Sequence, residues 1–170
     1  MSKTTAAIIA GLIATLFWGC YEFMPRPATD VVESYDPLSD TWNAEGRMPG
    51  ARASPACAES GGFIYVSGGK HLKPAHEHSL QRFDPLAGTW EVLAPMSKRR
   101  AYHEMVSVGT DLYVLGGSGT TVEVFDTISE TWSTAPDMTF SRSSFAAAEL
   151  ARRASTTWKP TIQVWDPGRP

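Results

Sequence analysis

Two stretches of this chain repeat one another feature by feature, at a spacing that leaves few architectures open. Arg52, Gly68-Gly69, Phe83-Asp84 and Trp90 recur as Arg100, Gly116-Gly117, Phe125-Asp126 and Trp132. The first two landmarks are displaced by 48 residues and the last two by 42, so the difference falls in one loop between Gly-Gly and the aromatic-Asp pair. Each copy contains short segments rich in β-branched and aromatic residues, bounded by Gly, Asp, Ser and Thr, which is the signature of strands and turns. In the second copy Met105, Val106 and Val108 lead to the turn Gly109 to Asp111. The apolar run Leu112 to Leu115 then closes at Gly116-Gly117, and Val122, Val124 and Phe125 form the next strand. No stretch of it has the 3.6-residue period of a helix. An upstream half copy, VVESYDPLSDTW, carries Tyr35-Asp36 and Trp42, again 48 residues before Phe83-Asp84 and Trp90. Self-similarity at about 40 to 50 residues, with four strands per unit, marks propeller blades.

The arginine, the apolar strand closed by Gly-Gly, the aromatic-Asp(-Pro) and the tryptophan seven residues later together resemble kelch repeats. The resemblance covers roughly Val31 to Met138 and rests on several spaced features recurring together. It implies an all-β fold of kelch-type β-propeller blades, each a four-stranded antiparallel sheet. The expected architecture is an incomplete propeller of about three blades with an N-terminal apolar helix. It divides as 31–49 half blade, 50–96 blade, 97–138 blade and 139–170 degenerate partial blade, after a leader over 1–23 and a linker over 24–30.

The third copy starts in register and then departs. Arg142 lies 42 residues after Arg100, and Phe145 to Ala148 continue as a first strand. The same offset from Gly116-Gly117 lands on Trp158-Lys159, with no apolar run before them. The Ala-rich stretch Ala146 to Ala154, with Arg152-Arg153, reads as a short helix or coil. TIQVWDP, Thr161 to Pro167, then reads as a recovered third strand. Three blades are too few for a propeller, which closes with roughly four to eight. A truncated product is the favoured expectation, ahead of self-association to complete the propeller or an open array.

The N-terminus belongs to another class. Lys3 precedes an uncharged apolar run from Ala6 to Trp18, which ends at Gly19-Cys20. The run is shorter than the about 20 residues that span a bilayer, which favours a secretory signal over an anchor. Gly19-Cys20 resembles the end of a bacterial lipobox, making Cys20 the lipidation candidate, although Phe17-Trp18 depart from that pattern. An uncleaved anchor remains the alternative. Each reading expects an exported chain, membrane-anchored or periplasmic/extracellular, touching the membrane through this segment. The other cysteine, Cys57, falls in a first strand and reads as a small buried apolar residue.

The repeat positions Tyr35, Trp42, Arg52, Gly68, Gly69, Phe83, Trp90, Arg100, Gly116, Gly117, Phe125, Trp132 and Arg142 read as scaffold. His103 occupies a position where kelch repeats often carry His, and it reads as structural. Lys98 and Arg99 read as surface charges. The loop KHLKPAHEHS is the least repeat-like part and holds the binding-loop candidates His71, Lys73, His76 and His78, since loops on rigid scaffolds carry recognition. His76 and His78 alternate, but spacing supplies no third ligand, so no metal and no cofactor is expected.

A net charge of −3 argues against nucleic-acid binding. No nucleophile elbow, phosphate loop or Cys-x-x-Cys is present. The expected function is an exported, non-enzymatic module that binds a protein or glycan partner through its inter-strand loops. The resemblance leaves two alternatives: part of a carbohydrate-active kelch enzyme, similar to sialic-acid mutarotases or sugar oxidases, or an intracellular substrate adaptor.

Overall fold

A computed structural model of the chain describes residues 7–8, 28–70, 77–154 and 157–166. They form thirteen strands. Two sheets are complete four-stranded antiparallel meanders. The first contains β4 (Ala56–Ser60), β5 (Phe63–Ser67), β6 (Leu80–Asp84) and β7 (Thr89–Leu93). The second contains β8 (Glu104–Val108), β9 (Asp111–Leu115), β10 (Val122–Asp126) and β11 (Thr131–Ala135). Before them β2 (Thr29–Asp36) pairs with β3 (Thr41–Arg52), and β1 (Ala7–Ile8) lies on the outer edge of β2. After them β12 (Ala146–Ala154) and β13 (Thr157–Trp165) form a two-stranded hairpin. The described residues are all-β, and the two complete sheets have the four-stranded antiparallel form expected of propeller blades.

The turns follow from side-chain chemistry. Asp84 and Asp126 each accept backbone N–H bonds from the residues two and three further on, which closes the β6–β7 and β10–β11 turns. Those turns set the register: Phe83 stands opposite Trp90 and Phe125 opposite Trp132, with ring centroids 4.9 and 5.0 Å apart. The upstream pair, Tyr35 opposite Trp42, repeats this at 5.2 Å.

Because side chains alternate across a strand, each sheet offers one face to the sheet before it and one to the sheet after. Ala56, Tyr65, Leu80 and Leu93 of the first complete sheet pack against Met105, Leu112, Val114 and Phe125 of the second. The far side of the second, with Val106, Leu115 and Val122, takes Phe145, Ala147, Ile162 and Val164. Val32 and Met48 of the upstream half sheet cover Val66, Ile64 and Trp90. Each fully buried aliphatic or aromatic side chain in these seams contributes about 1.5–3 kcal/mol.

Several expectations change here. Ala146–Ala154 is a strand: its pairing with β13 along nine residue pairs outweighs the helix propensity of alanine, which amounts to under about 1 kcal/mol per residue. Thr161–Trp165 belongs to a second strand, not a third, because β13 pairs directly with β12 and puts Trp165 opposite Ala146. Asp166 consequently stands where Gly116 stands in the preceding sheet. Cys57 is exposed, because the half sheet in front of it has no inner strands to cover β4. The same lack of a neighbour behind β2–β3 leaves Trp42 55% exposed, while Phe125 is fully buried. Of the expected apolar N-terminal helix, Ala7–Ile8 are strand and the remainder lies outside the described residues, as do Cys20 and most of the linker.

Candidate binding surface

The loops at one end of the sheets are tied together by the repeat residues. Arg100 is 1% exposed. Its guanidinium donates to the Glu123 carboxylate (2.9 Å), to the Gly116 carbonyl (2.6 Å), and to the Thr121 carbonyl and hydroxyl (3.0 Å each). Glu123 also accepts from the Ser97 amide (2.7 Å), so a single ion pair pins the loop after β7 to the loop after β9. Arg52, equally buried, has a poorer set: the Gly68 carbonyl (3.0 Å), the Ser79 hydroxyl (2.6 Å) and a long contact to the Pro49 carbonyl. Gln81 replaces the glutamate there, Arg52 Nε and Gln81 Oε1 are without partners, and burial pulls the Arg52 guanidinium down to about 10. Arg142, the third copy, meets the Asp166 carboxylate at 3.3 Å.

The glycine pairs allow the sheets to meet. A Cβ on Gly68 would strike the Arg100 carbonyl and come within 2.8 Å of His103 Cε1. One on Gly116 would lie 2.5 Å from the Phe145 ring, and one on Gly117 2.5 Å from the Ala101 carbonyl. Gly69 donates to the Arg100 carbonyl (2.8 Å) and Gly117 to the Arg142 carbonyl (2.8 Å), so both repeat Gly-Gly pairs dock on the next arginine's backbone.

His103 sits in this seam, 3% exposed, with Nε2 2.8 Å from the Ser67 hydroxyl and Nδ1 unpartnered. Burial, assisted by the Arg100 cation, holds its imidazole down to about 3. The folded protein therefore resists a proton that the unfolded chain accepts near pH 6.5. This stability is fully present above about pH 6.5 and is lost as pH falls toward 3. Urea unfolding at pH 7 and pH 5 should show an acid loss about 2 kcal/mol larger in wild type than in His103→Gln. Equal losses would assign the acid sensitivity elsewhere.

Above the seam lies the surface that sequence reasoning missed. Ser54, Tyr102 and Ser144 hold the same repeat position, and each has a left-handed backbone, with φ of 55°, 57° and 54°. Non-glycine residues in that region cost free energy and gather at functional sites. They are joined across the sheets: the Tyr102 amide donates to the Ser54 carbonyl (3.2 Å) and the Ser144 amide to the Tyr102 carbonyl (2.9 Å). Tyr102 is 37% exposed, and the Lys70 ammonium lies over its ring, 5.0 Å from the centroid. Lys70 is held by a two-way backbone bridge to Ala53 (2.7 and 2.9 Å). Lys98 and Arg99 are exposed on the adjoining loop, so this end is cationic although the chain's net charge is −3.

The described ends of the KHLKPAHEHS segment, Lys70 and Glu77 to Ser79, lie at the same end. His71, Lys73 and His76 lie outside the described residues. His78 is half-buried, and its carbonyl accepts from the Met96 amide (2.8 Å), while the neighbouring Glu77 carbonyl accepts from the Arg100 amide (2.9 Å). The base of the loop is thus fastened to the following blade. Among the described residues no group of three or more His, Cys, Asp or Glu is placed to hold a metal ion, and no helix is long and apolar enough to cross a membrane. The family model described as Kelch motif matches residues 51–97 and 99–139, together just over half of the 170 residues. No curated protein matches the chain.

Proposed function

The chain belongs to the Kelch motif family, and from that premise we propose that it is an exported, non-enzymatic interaction module whose recognition surface is the Lys70–Tyr102 end of the blades. Kelch repeats serve generally as protein-interaction modules. The observation that carries the finer reading is the strained, cross-linked row Ser54–Tyr102–Ser144 with the Lys70 ammonium over the exposed Tyr102 ring. An aromatic face beside a cluster of cations suits a carboxylate-bearing ligand, held by charge-assisted hydrogen bonds and stacking. An acidic segment of a protein supplies that chemistry, and so does an acidic glycan.

The test uses two immobilised libraries, one of acidic peptides and one of sialylated and uronate glycans. Ligands retained by the wild type should bind at least about tenfold more weakly to Tyr102→Ala, which corresponds to about 1.4 kcal/mol. Melting temperature should stay unchanged, since the ring is exposed. Retention on peptides alone identifies a protein partner, and on glycans alone a sugar partner. Unchanged binding by Tyr102→Ala would move the surface elsewhere, and turnover of a sugar by the purified chain would replace the reading with an enzymatic one.

Export is part of the proposal and rests on Lys3, the apolar run Ala6 to Trp18 and Gly19-Cys20. Lipidation of Cys20 would anchor the chain at the outer face of a membrane. Labelled fatty acid should enter the wild type in a bacterial host and be absent from Cys20→Ser. Equal labelling of the two would exclude Cys20 as the acceptor.

A further inference from the structure

At the end of the sheets away from Tyr102, the β2–β3, β6–β7 and β10–β11 turns present a second surface. The antiparallel registers place these turns there together with the β4–β5 and β8–β9 turns. The most exposed large hydrophobic side chains among the described residues stand on them: Leu38, Leu86 and Ile128, at 80%, 83% and 77%. They share one repeat position, separated by 48 and then 42 residues. Single apolar side chains are ordinary on a surface. These three instead form a row across consecutive sheets that pack on one another through their seams.

The fold has no use for an aliphatic side chain at this position. None of the three enters a core cluster. What the turns need is the aspartate and the backbone: the amides of Leu38, Leu86 and Ile128 donate to Asp36, Asp84 and Asp126 at 2.8, 2.8 and 2.7 Å. Those bonds fix each turn and hold its apolar tip outward, so little conformational freedom remains to be lost on docking. The row is also braced between sheets. Arg82 of β6 pairs with Glu91 of its own sheet (2.6 Å) and with Glu130 of the β10–β11 turn (3.0 Å).

The charge around the row selects the partner. The turn sequences DPLSDT, DPLAGT and DTISET hold five carboxylates and no Lys or Arg. Backbone amides hold the Asp36 and Asp126 carboxyls below the usual range, so both stay charged in mild acid. Glu59 and Asp111 add to this on the β4–β5 and β8–β9 turns. The carboxylates stop at the next sheet, where Arg152 and Arg153 stand opposite Lys159 and Trp158 beside the β12–β13 turn. We infer that this end is a docking surface for a basic amphipathic helix of a partner protein. Its apolar stripe covers Leu38, Leu86 and Ile128, and the Lys and Arg on either side of that stripe meet the carboxylates. A helix suits the surface because residues three and four apart share one face, which puts cations on both flanks of an aliphatic line. An anionic lipid surface would be repelled by the same carboxylates. The surface is separate from the Lys70–Tyr102 end and goes beyond the reading given to it.

The test measures binding of the full chain to an immobilised amphipathic helical peptide of leucine and lysine. A peptide with glutamate in place of lysine serves as the control. The wild type should bind the lysine peptide and not the glutamate peptide. Raising salt from about 0.05 M to about 0.5 M should weaken binding at least about tenfold, through screening. The triple variant Leu38→Ser/Leu86→Ser/Ile128→Ser should bind at least about tenfold more weakly, because it removes three apolar contacts. Its melting temperature should match the wild type, since the three side chains support no core. No binding of the lysine peptide, equal binding of both peptides, or undiminished binding by the triple variant overturns the proposal. So does adsorption to phosphatidylcholine vesicles that the triple variant loses, which would make the row a lipid contact. Self-association lost in the triple variant overturns it too, by making the occupant a second copy of the chain. Ligand retention at Tyr102 is measured separately, so the two proposals fail separately.

Discussion

Arg100→Met should lower stability by about 3–5 kcal/mol, the cost of breaking a buried ion pair from one side. The Glu123 side chain, 5% exposed, would lose its cation and retain the Ser97 amide as its hydrogen-bond donor. The Gly116 carbonyl and both Thr121 acceptors would lose their donor at the same time. Arg52→Met, at the same repeat position, should cost less, about 1–3 kcal/mol. It strands no carboxylate, because Gln81 stands where Glu123 stands, and Arg52 already has an unpartnered Nε. Urea unfolding of both variants checks the ordering. Adding Glu123→Leu to Arg100→Met should recover part of the loss, since it removes the orphaned charge. A larger loss for Arg52→Met would show that the ion pair is not what secures the seam.

Gly68→Ala should cost a further about 2–5 kcal/mol from two sources. Its φ of 53° lies in the left-handed region, which an alanine occupies at a cost of about 1–2 kcal/mol. The new methyl would also be driven into the Arg100 carbonyl, with His103 Cε1 at 2.8 Å and the Glu77 carbonyl at 3.1 Å. Overpacking of this kind costs about 1–3 kcal/mol, and here two of the three obstacles are backbone that cannot rotate away. Gly88→Ala is the control: φ is 67° and nothing lies within 4 Å of the added methyl. It should show the backbone cost alone, and equal losses at the two sites would argue that the blades do not approach as closely as they do here.

The blades were legible in the sequence because their determinants are residue types with one physical job. A glycine pair allows close approach, an aspartate closes its own turn, and a paired aromatic and tryptophan fill a seam. Those jobs recur at fixed offsets, so the repeat could be counted. The proposed recognition surface was not legible by residue type: Ser54, Tyr102 and Ser144 share a backbone conformation but not one side chain. Their offsets of 48 and 42 residues were nonetheless in the sequence. The third repeat misled for another reason. Alanine and arginine favour a helix locally, yet Ala146–Ala154 pairs along its length with β13, and that pairing decides its conformation. Cys57 and Trp42 misled because the strands that cover their equivalents in the complete sheets have no counterpart among the described residues.

The functional account turns on the proposed surface around Lys70 and Tyr102. Its most direct measurement is the affinity of the wild type and of Tyr102→Ala for one carboxylate-bearing ligand retained from the libraries. A loss of at least about tenfold in the variant is the predicted result. Equal affinities would contradict it.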